Sequence, residues 1–322
     1  MGFGAYSHAA HVALTRARPP EARLFRASRA DPLLDPRDAL RESRDSEDHP
    51  DSLPVVFALD VTGSMGQVPR RLATATLPDF MAVLLGAGVR DPQLCFMGVG
   101  HAGHDAAPLQ VGQFESTAAL IDQWLTRLWI EGGGVGQHES YELAMHFAAH
   151  RMTLDSVRLR GRRGFFFLVG DVLPNPALSR REVARLLGEA PERDLPIREV
   201  IEDLQRHFEP FFLMAPGTER RIGRAWRDLL GDRVIALEHV DDTAYVAAGL
   251  VALLEGAAPS LSAYVARLGA LGLERRRAAR VARSLVPLAA SLGRDGAPDP
   301  TQRGADLPVG DPPSGLIRPG SR

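Results

Sequence analysis

The sequence predicts an α/β fold: a doubly wound, mainly parallel sheet flanked by helices. Two observations carry that expectation. Runs such as residues 54–59 and Phe165-Phe-Phe-Leu-Val169 are apolar at every position, the pattern of strands covered on both faces. Stretches with helical spacing of apolar residues separate them, and strand–helix alternation winds such a sheet through right-handed crossovers. A third observation locates the site. Aspartates stand just past the ends of two apolar runs, Asp60 and Asp171, where open α/β sheets form their binding crevice.

The elements follow in order. Residues 1–51 are arginine-rich and interrupted by prolines, and Arg41-Glu-Ser-Arg-Asp-Ser-Glu-Asp-His-Pro50 is almost without apolar content. They read as an irregular, solvated N-terminal arm. Residues 52–257 read as the main domain. Strands are expected at 54–59, 93–99, 164–169, 210–214 and 234–237. Helices are expected at 70–85, 117–129, 140–151, 179–187, 196–207, 219–230 and 243–254. Pro78 inside the first helix predicts a kink or break. Residues 258–292 read as a C-terminal helical extension, with helices at 260–268 and 274–292. The tail 293–322 is rich in proline and glycine and reads as disordered.

Composition narrows the function. The chain has 322 residues, 45% apolar, 24% charged and net charge −2, with arginine as its only strongly basic residue type. That balance gives no case for nucleic acid or a membrane surface as partner. The longest apolar stretch, 245–254, is too short to span a bilayer. No secretory pattern opens the sequence, so the cytoplasm is the default location. A single cysteine, Cys95, lies in an apolar run and reads as a buried, inert thiol.

The chemistry concentrates at Val55-Val-Phe-Ala-Leu-Asp60-Val-Thr62-Gly-Ser64-Met-Gly66. An apolar strand ends at a carboxylate, and two hydroxyls follow at alternate positions. Three hard oxygen donors at one strand end suit Mg²⁺, with Mn²⁺ or Ca²⁺ as alternatives. The helix expected next would point its amino end at the same place.

Here the residues resemble the von Willebrand factor A family, a Rossmann-like fold with a metal-ion-dependent adhesion site. Its pattern is Asp-x-Ser-x-Ser in one loop, Thr in a second and Asp in a third. Asp60, Thr62 and Ser64 match the first loop, and Asp171 matches the third. The second loop falls at 131–140, where the position usually held by Thr is Val135. Valine cannot ligate, so Glu139 or Ser140 would substitute, directly or through a water. The resemblance covers about residues 52–257. Four segments beginning at Arg41, Leu109, Glu139 and Ala225 also look like a group of bacterial cytoplasmic proteins with this domain, which implies no reaction.

The resemblance implies a non-enzymatic, metal-dependent protein-interaction module, an adaptor or scaffold in a bacterial cytoplasmic complex. Its partner would offer an Asp or Glu to the ion. A ring-forming AAA+ ATPase of the MoxR type is the partner class that analogy supplies. The alternatives are a metal-dependent hydrolase acting on a phosphoester, and a structural subunit with a degenerate metal site. Other constellations are weaker. His101, His104 and Asp105 read as a polar rim, and His146 and His150 as surface histidines one helical turn apart. Arg275-Arg-Arg277 reads as a solvated helix face. Trp124, Trp129 and Trp226 read as core or groove lining.

Overall fold

The computed structural model describes residues 6, 7, 9, 10, 13, 14, 29–65, 68, 77–133 and 136–294. Val135, residues 70–76 of the first expected helix and the tail from 295 lie outside the described residues.

The strands are β1 (Arg41–Ser43), β2 (Leu53–Asp60), β3 (Pro92–Val99), β4 (Leu109–Val111), β5 (His138–Glu139) and β6 (Met152–Leu154). They continue as β7 (Gly164–Gly170), β8 (Leu173–Pro174), β9 (Ala177–Leu178), β10 (Leu195–Pro196), β11 (Phe208–Met214) and β12 (Val234–Ala236). The helices are α1 (Leu77–Gly86), α2 (Ala118–Arg127), α3 (Tyr141–Arg151), α4 (Asp155–Arg160) and α5 (Arg180–Leu187). They continue as α6 (Ile197–Gln205), α7 (Glu219–Leu230), α8 (Thr243–Leu254), α9 (Leu261–Ala270) and α10 (Arg275–Ser291).

Six strands form the central sheet, in the order β12-β11-β7-β2-β3-β4. All neighbours are parallel except β3 and β4. The chain leaves β2 for β3 on one side, then returns to β7 on the other. The winding therefore reverses between β2 and β7, which opens a crevice at their carboxyl ends.

Alternation along each strand builds two cores. On one face Val55, Phe57 and Leu59 of β2 pack with Phe80 of α1 and with α8, α9 and α10. Phe57 meets Phe80 edge-on at 4.9 Å and Phe167 at 5.2 Å. On the other face Val56 and Ala58 pack with Phe147 of α3 and with α5, α6 and α7. Every residue of β2 and β7 is buried, so the strands are apolar throughout because both faces are covered. Cys95 lies in the second core, and burial pushes its thiol up to about 12.

Residues 41–46 of the N-terminal segment pack against the domain, whereas Leu33, Leu40 and Glu47 are exposed. β1 pairs in parallel with β6. Arg41 donates to the carbonyls of Val111 and Gly112 beyond the last ladder of the sheet. The buried Ser43 hydroxyl donates to Gln93 at 2.8 Å, and Arg44 pairs with Asp155 at 2.9 Å. The polar side chains that suggested a solvated arm are thus spent on specific contacts with the domain.

At the other end α9 and α10 complete the first core, with Leu261, Tyr264, Leu268, Val281 and Leu285 buried. Asp242 is buried and accepts from Arg277 and Arg280 of α10. Arg277 also lies over the Tyr245 ring at 4.5 Å. Arg277 therefore leaves the solvated face expected for its cluster and docks the helix.

His146 is a second departure from the expected surface pattern. It is half-buried, with its ring 4.4 Å from that of His150 and no partner for Nδ1 among the described residues. Burial, then the charge of His150, pushes its pKa down to about 4. Below about 6.5 the unfolded chain takes up a proton that the native imidazole refuses. Stability from this residue is therefore complete above that pH and is lost as the pH falls toward 4. His146→Gln is expected to recover about 2 kcal/mol of the loss between pH 7 and pH 4.5. Urea midpoints of both proteins at the two pH values check this; equal acid losses would refute it.

Candidate metal-binding site

β2 ends at Asp60 because the chain must turn out of the sheet there. Asp60 is fully buried, and both oxygens of its carboxylate accept hydrogen bonds. Oδ1 accepts from the Thr62 amide at 2.9 Å and the Thr62 hydroxyl at 2.5 Å. Oδ2 accepts from the Tyr141 hydroxyl at 2.5 Å. The Thr62 and Ser64 hydroxyls lie 3.1 Å apart, and Ser64 donates to Asp171 Oδ1 at 2.9 Å. Asp60, Thr62, Ser64 and Asp171 thus form one continuous chain of oxygens across the mouths of β2 and β7.

The second loop is stitched to the first through its backbone. Gly63 N donates to the Gly133 carbonyl at 2.8 Å, and Gly132 N to the Val61 carbonyl at 3.3 Å. A Cβ on Gly63 would stand 2.8 Å from the Gly132 carbonyl oxygen, so only glycine admits this approach. Asp105 sits against the same loop: a Cβ on Gly100 or Gly133 would collide with its carboxylate. It accepts from the His101 amide at 2.7 Å. His101, His104 and Asp105 lie at the site's edge, and the two rings stand 4.6 Å apart.

The two second-loop candidates stand differently. The Ser140 hydroxyl accepts from the Ala102 amide at 2.8 Å and lies 3.5 Å from Asn175 Nδ2. Glu139 is 4% exposed, and its Oε2 has no hydrogen-bond partner among the described residues. Burial and then Asp60, Asp105 and Asp171 push its pKa up to about 8. Burial likewise pushes Asp60 up to about 6, against the pull of the Thr62 and Tyr141 hydrogen bonds, with Asp171 adding to the rise. Carboxylates crowded out of water in this way lower their energy when a cation joins them.

Tyr141 is the site residue that sequence reasoning missed. It lies 81 positions from Asp60, and no local pattern joins them. Arg221 is another: it donates to the Asp171 carbonyl at 2.5 Å. The nearby Trp226 indole, fully buried against Phe212, donates to the Val172 carbonyl at 2.9 Å. The pair fixes the third loop from α7. Ser64 and Asp171 also line a cleft of about 460 Å³ with Met65, Val68, Pro216 and Val240. The oxygens are therefore reachable from outside although Asp60 is not.

This donor set fits a small hard cation: hydroxyl and carboxylate oxygens, with a carboxylate oxygen left unpaired beside them. Among the described residues no group of three or more His, Cys, Asp or Glu side chains is ready to hold a metal ion. The serine and threonine hydroxyls are what link the two aspartates here. Residues 70–76, the start of the helix expected to aim its amino end at the site, lie outside the described residues. No helix among the described residues is long and apolar enough to cross a membrane.

No family model and no curated protein matches the sequence. Among solved structures the chain is similar to two crystal structures of the pilus adhesin SpaC from Lactobacillus rhamnosus GG, one in an open conformation. Identity is 10% in both, with TM-scores of 0.44 and 0.46 over 66% of this chain. It is also similar to proximal thread matrix protein 1 from the mussel byssus, at 10% identity and a TM-score of 0.41 over 63% of this chain. The chain spans 32% and 31% of the adhesin chains and 48% of the byssus protein.

Proposed function

We propose that this chain is a metal-ion-dependent protein-interaction module of the von Willebrand factor A kind. The observation that carries the reading is the oxygen chain Asp60–Thr62–Ser64–Asp171 at the point where the sheet's winding reverses. These residues would hold Mg²⁺, with Mn²⁺ or Ca²⁺ as substitutes, and the ion would present an open coordination position toward the cleft beside Ser64 and Asp171. A partner's Asp or Glu is the ligand for that position, since a hard cation selects a carboxylate oxygen. The module then acts as an adaptor or scaffold in a bacterial cytoplasmic complex, with a MoxR-type AAA+ ATPase as the partner class.

Protein stripped with EDTA is expected to bind one Mg²⁺ or Mn²⁺ per chain in calorimetric titration and to unfold at a higher temperature when loaded. Partner capture in Mg²⁺ is expected to disappear in EDTA. Capture that chelation leaves unchanged, or the absence of any heat with Mg²⁺, Mn²⁺ and Ca²⁺, refutes the reading.

A further inference from the structure

We infer that Glu139 supplies the second-loop carboxylate to the cation, acting on it through the ion's water ligands. This rests on the metal-binding reading of Asp60, Thr62, Ser64 and Asp171 and adds to it the residue that takes over where Val135 cannot ligate.

Three connections fix Glu139 beside the oxygen chain. β5 pairs with β8, which sets Glu139 opposite Pro174, in the segment that follows Asp171. The next amide, Ser140 N, donates to the Gly100 carbonyl at the end of β3. Two residues on, the Tyr141 hydroxyl reaches Asp60. Glu139 is thus held among the carboxyl ends of β2, β3 and β7.

Its chemistry is unfinished there. The side chain is 4% exposed, and Oε2 has no partner among the described residues. A buried carboxylate oxygen without a donor is costly, and native structures retain one where an ion, a water or a function accounts for it. The neighbouring oxygens have partners of their own: the Ser140 hydroxyl accepts from Ala102 N, and the Gly133 carbonyl accepts from Gly63 N. Glu142 makes the contrast: it is also buried, but its carboxylate accepts from the amide and the side chain of Asn175. Of these two acids only Glu139 has a carboxylate oxygen without a hydrogen-bond partner among the described residues. Among the described residues no three His, Cys, Asp or Glu side chains are grouped to hold an ion directly, and Glu139 would accordingly stand outside the ion's direct ligands. It receives hydrogen bonds from the waters that a small divalent ion retains.

The test uses the full chain stripped with EDTA and titrated with MnCl₂, alongside thermal unfolding with and without the metal. Glu139→Gln is expected to weaken Mn²⁺ binding about 10- to 100-fold, the usual effect of losing an outer-shell ligand partner. In EDTA the variant is expected to unfold at the wild-type temperature or above, because it removes a carboxyl group crowded by Asp60, Asp105 and Asp171. In saturating Mn²⁺ the wild type gains more than the variant. Glu142→Gln is expected to bind Mn²⁺ within twofold of wild type. A Glu139→Gln protein that titrates like wild type overturns the inference and leaves the metal site standing. One that unfolds at a lower temperature in EDTA makes Glu139 a structural residue and overturns it too. Wild-type protein that binds no Mn²⁺ overturns the underlying reading itself.

Discussion

Asp60→Ala is expected to abolish divalent-cation binding, with affinity falling at least about 100-fold, some 2.7 kcal/mol or more. Asp60 is the fully buried carboxylate at the base of the oxygen chain, so on the proposed reading its loss would remove both a ligand and a charge that attracts the ion. The variant also strands three donors: the Thr62 amide, the Thr62 hydroxyl and the Tyr141 hydroxyl. Leaving buried donors unsatisfied costs about 1–3 kcal/mol each, and partial relaxation puts the total near 3 kcal/mol. Calorimetry with MnCl₂ and urea unfolding in EDTA separate the two effects. Asp60→Asn keeps an acceptor for Thr62 while removing the charge, so it is expected to lose the metal with a smaller loss of stability. An Asp60→Ala protein that still takes up Mn²⁺ at wild-type affinity would exclude this strand end as the cation site.

Trp226→Ala is expected to destabilise the protein by about 3–5 kcal/mol, the range for deleting a large buried aromatic. The indole stacks on Phe212 with ring centres 4.0 Å apart and lies 6.0 Å from the Tyr141 ring. Its N–H holds the Val172 carbonyl, the residue after Asp171. The substitution therefore opens a cavity and frees the third loop together. Trp226→Phe keeps much of the stacking and loses the hydrogen bond, so about 1–2 kcal/mol is expected. Equilibrium urea unfolding checks both values. A Trp226→Ala protein within 1 kcal/mol of wild type would mean that α7 does not pack on the sheet through this residue.

These two positions differ in how visible they were in the sequence. Asp60 announces itself, because an apolar run that stops at a carboxylate and continues through alternate hydroxyls is a local pattern. The strands around it were visible for the same reason. β2, β7 and β11 are buried on both faces, so burial leaves its mark on nearly every residue. Trp226 was recognisable as an apolar residue of a helix, but its hydrogen bond to Val172 was not. Short elements such as β1, β5, β6 and β8 were missed because two or three residues carry no periodicity. They exist through their partners, as β1 does against β6.

The polar segments were the other weak point. Arg41, Ser43 and Arg44 look like solvent-exposed chain until their acceptors at Gly112, Gln93 and Asp155 are in place. Arg277 and His146 show the same limit. A charged or titratable side chain has no preference between water and a matched partner until folding brings that partner near.

The sequence by itself determined the α/β class, the strand ends bearing Asp60 and Asp171, and the hard-oxygen character of Thr62 and Ser64. Each of these depends on residue type and local spacing alone. Only the tertiary structure decided that Ser64 meets Asp171, that Tyr141 closes on Asp60 and that Glu139 lies buried with an oxygen unpaired. Those contacts join residues far apart in the chain, and the winding of β2, β3 and β7 into one sheet is what brings them together.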